Sequence, residues 1–294
     1  MQEFAQQVVS GLSEGAIYAS LALALVLIYR ATHIVNFAQG EMGMFATFIA
    51  WTLIVNHGFS YWPAFALTLL VAFVGGIGVQ RVVIRPLERA PDLTIVMATI
   101  ALLVILNGLA GWIWSPEVKT FPSPFPNRTI DVGGVTVSLQ DLGVIGVTLA
   151  AVVLVALFFR YTRLGLAMRS AAIAPDTSRL LGVRVSWMLA LGWGLAAVLS
   201  AVSGMMVAPL VFLDPSFMQS VLIYAFAAAV LGGIESPVGA VVGGLSLGVG
   251  LNLIGTYVDF VTAELRLPVA LGVLLLVIIL RPAGLLGHAV VRRV

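Results

Sequence analysis

Cysteine is missing from all 294 residues, so neither a disulfide framework nor a thiolate metal site can be built. Histidine is scarce too: His33, His57 and His288 are scattered and show no ligand spacing. Charge is thin. Asp, Glu, Lys and Arg make up 10% of the chain against 61% hydrophobic residues, too little to clothe a water-soluble domain. No Walker phosphate loop, HExxH pair or GxSxG elbow occurs, so the side chains of those hydrolytic chemistries are not supplied here. No cofactor is implied. If ATP drives this protein, another subunit hydrolyses it.

What is present is apolar sequence in runs near the ~20 residues that cross hydrocarbon. The pattern predicts spans at 11–29, 41–56, 62–80, 93–114, 141–159, 187–211, 219–234, 237–256 and 267–280. This is an all-α integral membrane protein: one polytopic bundle over 1–294, of about eight to ten spans, with broken or re-entrant helices. The start MQEFAQQ carries no basic region, so the first span is expected to serve as its own targeting signal. Between the fourth and fifth spans, 115–140 is rich in Pro and ends in short Val/Thr alternation around Gly133 and Gly134, which predicts an extended segment with a small hairpin. Close glycines at Gly75, Gly76 and Gly78, at Gly192 and Gly194, and at Gly239, Gly243, Gly244, Gly248 and Gly250 predict tight helix packing.

Basic residues are unevenly placed, and Lys119 is the sole lysine. Arg30; Arg81, Arg85 and Arg89; Arg160, Arg163, Arg169, Arg179 and Arg184; and Arg281, Arg292 and Arg293 all fall on one side of the predicted topology, leaving Lys119, Arg128 and Arg266 on the other. The positive-inside rule makes the first side cytoplasmic, which puts the N-terminus outside and the C-terminus in the cytoplasm. Membrane insertion accounts for these arginines, so nucleic acid is not a partner.

Charges and amides inside apolar spans are costly and mark candidate sites. Glu14, with Tyr18 nearby, makes the first span polar on part of its outer half. HIVNFAQGEMG (33–43) interrupts the pattern with Asn36, Gln39 and Glu41, and LGGIESPVGA (231–240) does so with Glu235. Both read as helices broken within the membrane, where freed backbone groups line a polar path; capping, or pairing with Arg, is the alternative for Glu41 and Glu235. The repeated Ile-Tyr-Ala at 17–19 and 223–225 hints at a duplicated architecture.

The loop 160–184 carries its own helix signals. Pro175 suits a first helical position, Asp176 the first turn, Arg179 the last and Gly182 a left-handed cap. A helix over about 175–181 would present Leu180 and Leu181 outside the bilayer, suited to docking rather than catalysis.

Read together and in order, GLSEGAIYASLALALVLIYRATHIVNFAQGEMGMFATFIA (11–50), RPLERAP (85–91), RLGLAMRSAAIAPDTSRLLGV (163–183), LGGIESPVGAVVGG (231–244) and RPAGLLG (281–287) resemble the branched-chain amino acid permease subunits of bacterial ABC importers, the shorter of the two paired permeases. The resemblance implies an inner-membrane permease that pairs with a second related permease, binds two cytoplasmic ATPase subunits and receives substrate from a periplasmic binding protein. Arg169, Pro175, Asp176, Arg179, Leu180 and Gly182 would then couple to the ATPases, and Glu14, Tyr18, Asn36, Gln39, Glu41 and Glu235 would border the substrate pathway. At Gln39 this chain departs from the family, where histidine is usual. Urea or short-amide permeases of the same family and ion-coupled secondary transporters remain alternatives; a membrane-embedded enzyme lacks its catalytic constellation.

Overall fold

The computed structural model describes residues 2–126, 128–132, 135–281 and 283–287. Gly133, Gly134, Pro282, His288, Arg292 and Arg293, which entered the reading above, lie outside them, as does the position of the C-terminus. The helices in chain order are α1 (Gln2–Thr32), α2 (Gln39–Trp51), α3 (Tyr61–Val79), α4 (Asp92–Trp114), α5 (Leu139–Tyr161), α6 (Arg163–Ile173), α7 (Pro175–Leu180), α8 (Val185–Val211), α9 (Phe217–Gly232), α10 (Pro237–Tyr257) and α11 (Arg266–Leu280). One antiparallel hairpin, β1 (Thr129–Val132) with β2 (Val135–Ser138), pairs Ile130 with Val137, at the place where the Val/Thr alternation predicts it.

Every predicted span contains one helix. Among the described residues six helices are long and apolar enough to cross a membrane: α1, α3 with its continuation to Leu87, α4, α5, α8 and α10. The others are shorter: α9 has 16 residues, α11 has 15, and α2 has 13 before a π-helical turn carries it to Asn56. α1 starts well ahead of its predicted span, because polar Gln and Glu continue a helix that hydropathy alone does not register.

α1 and α8 form the interior. Their most apolar stretches are 83% and 72% buried, against 22% for α3, α4 and α5, whose remaining apolar surface faces lipid or another subunit. α1 crosses α10 backbone to backbone: a Cβ on Gly244 would collide with Ala19, and one on Gly248 with Gly15. No larger residue permits that approach.

Side-chain and backbone contacts define two faces. On one, Ser10 donates to Asp141 (3.4 Å), Trp114 Nε1 donates to Thr52 Oγ1 (2.7 Å), and Lys119 pairs with Leu213. This hairpin face gathers the start of α1 and the ends of α4 and α8. The arginine-rich face holds the end of α1, the start of α8 and the arm α6–α7.

Candidate functional site

α1 ends at Thr32, followed by His33 with a left-handed backbone (φ 56°), and α2 starts at Gln39. In this break Asn36, Gln39 and Glu41 are buried to 0%, 0% and 1% exposure. Asn36 Oδ1 accepts from the Ala38 N–H (3.1 Å), and its Nδ2 donates to Gln39 Oε1 (2.8 Å). Gln39 Nε2 in turn donates to the Ala196 carbonyl (2.9 Å) and to Ser200 Oγ (2.5 Å) on α8. The two amides thus satisfy a backbone group freed by the break and fasten it to the central helix. A histidine at position 39 would have a ring N–H for the same partners.

Glu41 faces a different set of groups. Asn107 Nδ2 on α4 lies 3.5 Å from its carboxylate and 2.7 Å from the Pro215 carbonyl, and Gln219 of α9 also hydrogen-bonds to the carboxylate. A buried acid ringed by amides therefore joins α2, α4 and α9. Asn107, Gln219 and Ser200 were missed in the sequence reading. Asn107 was detectable as a lone amide in an otherwise apolar span; Gln219 and Ser200 acquire meaning only through packing.

Glu14 lies on the hairpin half of α1, about a third exposed, with its Oε1 3.9 Å from Arg266 Nη1 at the start of α11. A Cβ at Gly255 of α10 would stand 3.0 Å from Arg266 Nε; the bare glycine lets the guanidinium lie across α10 toward Glu14. One turn deeper, Tyr18 meets Tyr224 of α9 with ring centroids 5.0 Å apart. The tyrosines of the two Ile-Tyr-Ala repeats are thus in contact. The Glu14 and Glu41 clusters both abut the first half of α9, at Tyr224 and Gln219.

Glu235 is set apart from these. It is exposed in the turn between α9 and α10 on the arginine-rich face, where it lines a cavity of about 490 Å³ with Arg30 and His33. Ser236 Oγ caps α10 by accepting from the Gly239 N–H (2.9 Å), with Pro237 at the first helical position. The RPAGLLG segment closes the other end of this turn: the N–H groups of Leu285 and Leu286 donate to the carbonyls of Leu231 and Gly232 (2.8 and 3.0 Å). Those are terminal α9 carbonyls without helical partners.

The arm on the arginine-rich face is two helices rather than one. Thr162 caps α6, accepting from the Gly165 N–H (2.9 Å). α7 has Pro175 at its first position, and Gly182 takes the left-handed backbone (φ 81°) that the sequence predicts. Asp176 and Arg179 pair across one turn at 3.0 Å, both exposed. Leu180 and Leu181 are 88% and 80% exposed, which makes this end of the arm an apolar tip. Arg169 is not at this tip; it lies on α6 beside a groove between α5, α8 and α10. Beneath α7 a cavity of about 320 Å³ reaches from Pro175 and Arg179 to Asn36 and Gln80, linking the arm to the helix break.

Helices broken around buried amides and an acid, in a bundle carrying an exposed apolar-tipped arm and no catalytic constellation among the described residues, define a polytopic membrane transport protein. The family profile described as "Branched-chain amino acid transport system / permease component" matches residues 7–280, and the chain belongs to that family. The high-affinity branched-chain amino acid transport system permease protein BraD of Pseudomonas aeruginosa is 32% identical over 99% of this chain and 98% of its own length. LivH of Escherichia coli, of the same description, is 28% identical over 99% and 98%. A chain in the solved structure "PsaBC from Streptococcus pneumoniae in complex with Fab" aligns with a TM-score of 0.50 at 14% identity, covering 93% of this chain and 91% of that one. That likeness concerns the fold alone.

Proposed function

We propose that this chain is the permease subunit of an ATP-driven importer for branched-chain or related amino acids, working with a second related permease, two cytoplasmic ATPase subunits and a periplasmic binding protein. The exposed Leu180–Leu181 tip carries the partner assignment. Two large apolar side chains on a capped helix outside the spans are costly in water and are suited to a protein cleft. The arginine-rich face is then cytoplasmic, and Pro175, Asp176, Arg179, Leu180 and Gly182 form the docking element. Arg169 contributes from the flank of the arm. Closure of the ATPases would push α7 as a lever, and the cavity beneath it adjoins the break at Asn36 that such a push would move.

Substrate recognition is assigned to the polar clusters at α9. Glu14 and Arg266 offer opposite charges suited to a zwitterion, Tyr18 and Tyr224 offer aromatic surface, and Glu41 offers a second acid. Asn36 and Gln39 hold the break in place, while Glu235 stands where the pathway would open on the cytoplasmic side. Mild-detergent pull-down from native membranes tests the assembly: a P-loop ATPase and a second permease are expected to co-purify, and recovery of this chain alone would refute it. The buried carboxylate of Glu41 supports a second reading, an ion-coupled carrier. Uptake that collapses with an uncoupler while ATP is maintained would favour that reading.

A further inference from the structure

Between α1, α5, α6, α8 and α10 runs a groove of about 620 Å³ that opens at the arginine-rich face. Its deeper walls are aliphatic, with Leu23, Leu27, Val152 and Val241 among them, and no acidic residue lines it among the described residues. Gly192 leaves part of one wall bare: a Cβ there would meet only Met168 Cε, at 3.7 Å. At the mouth stand three arginines from three elements, Arg30 at the end of α1, Arg160 at the end of α5 and Arg169 on α6. None of the three has an ion-pair partner among the described residues. At ~1.5 Å per residue, the step from Val152 to Arg160 on α5 gives the groove a length of about 12 Å along the helix.

We infer that this groove binds an anionic phospholipid, with an acyl chain against the aliphatic walls and the headgroup phosphate on Arg30, Arg160 and Arg169. Charge complementarity selects the occupant. A neutral partner helix would satisfy the walls and leave three guanidiniums bare, whereas a phosphate accepts bidentate hydrogen bonds from guanidinium forks at the depth where headgroups lie. Because Met168, Arg169 and Ala172 of α6 form one wall and α1, α5, α8 and α10 the others, the bound lipid clips the arm to the bundle. The site shares Arg169 with the docking arm proposed above, but its groove and the other two arginines stand apart from that reading.

Thermal unfolding of the delipidated full-length protein, with whatever subunits accompany it, tests the site. Addition of dioleoyl phosphatidylglycerol is expected to raise the midpoint by ~5 °C, while dioleoyl phosphatidylcholine and glycerol 3-phosphate leave it unchanged. The shift should vanish in the triple variant R30Q/R160Q/R169Q and in Gly192→Leu, which fills the groove with the arginines intact, and should persist in R85Q/R89Q. Equal stabilisation by phosphatidylcholine, or equal loss in R85Q/R89Q, would overturn the site as a generic surface effect. Lipid mass analysis supplies a reading free of folding: undiminished phosphatidylglycerol per chain in the triple variant, with or without loss of a protein partner, would also refute it.

Discussion

At the scale of single residues, the break between α1 and α2 shows how few side chains hold a membrane helix interruption together. Gln39→Leu removes the donor to Ala196 and Ser200 and takes from Asn36 its oxygen acceptor, leaving it only the Met42 sulfur at 3.6 Å. Each buried group left unpaired costs about 1–3 kcal/mol, so a lower unfolding midpoint and reduced accumulation in the membrane are expected. Gln39→His, which retains a ring N–H for the same partners, should unfold near the wild-type midpoint. Glu14 calls for a different expectation. Its pair with Arg266 is long and partly exposed, so Glu14→Gln should change stability by less than ~1 kcal/mol while lowering uptake several-fold; uptake equal to wild type would remove Glu14 from the pathway. The acids and amides were visible in sequence because polar groups are rare in these spans. Their partners were not, since Arg266 and Gln219 lie far along the chain from Glu14 and Glu41 and only packing joins them.

At the scale of elements, the arm makes the sharpest prediction. Leu180 and Leu181 are among the most exposed apolar side chains, so Leu180→Asp should leave insertion and thermal stability within about 0.5 kcal/mol of wild type and abolish ATPase co-purification. Retention of the ATPase would remove α7 from the interface. The α1–α10 crossing behaves oppositely. Gly244→Val introduces a side chain where backbones touch, and a loss of about 1–3 kcal/mol or more is expected, read by thermal unfolding in detergent. α7 was legible to within a residue because Pro175 and Gly182 punctuate it. α6 was not, because its apolar residues serve a surface helix rather than a span. The glycine pattern announced close packing without naming the pairs: Gly244 and Gly248 sit at a crossing, while Gly75, Gly78 and Gly250 face open space.

At the scale of the whole molecule, the order of spans was legible because hydropathy repeats at membrane length, whereas the identity of the central helices was not. α1 and α8 are no more apolar than the lipid-facing α5, and only the assembled bundle shows which are enclosed. Sidedness can be measured directly because the native chain has no cysteine. A membrane-impermeant maleimide should label Glu117→Cys in intact spheroplasts and Leu180→Cys only after permeabilisation; the reverse order would invert the proposed orientation. The Leu285 and Leu286 contacts also bear on how the chain is made. α9 leaves the ribosome well before the segment that donates to its last two carbonyls, so a nascent chain that stops short of Leu285 leaves both carbonyls at this helix end without those donors.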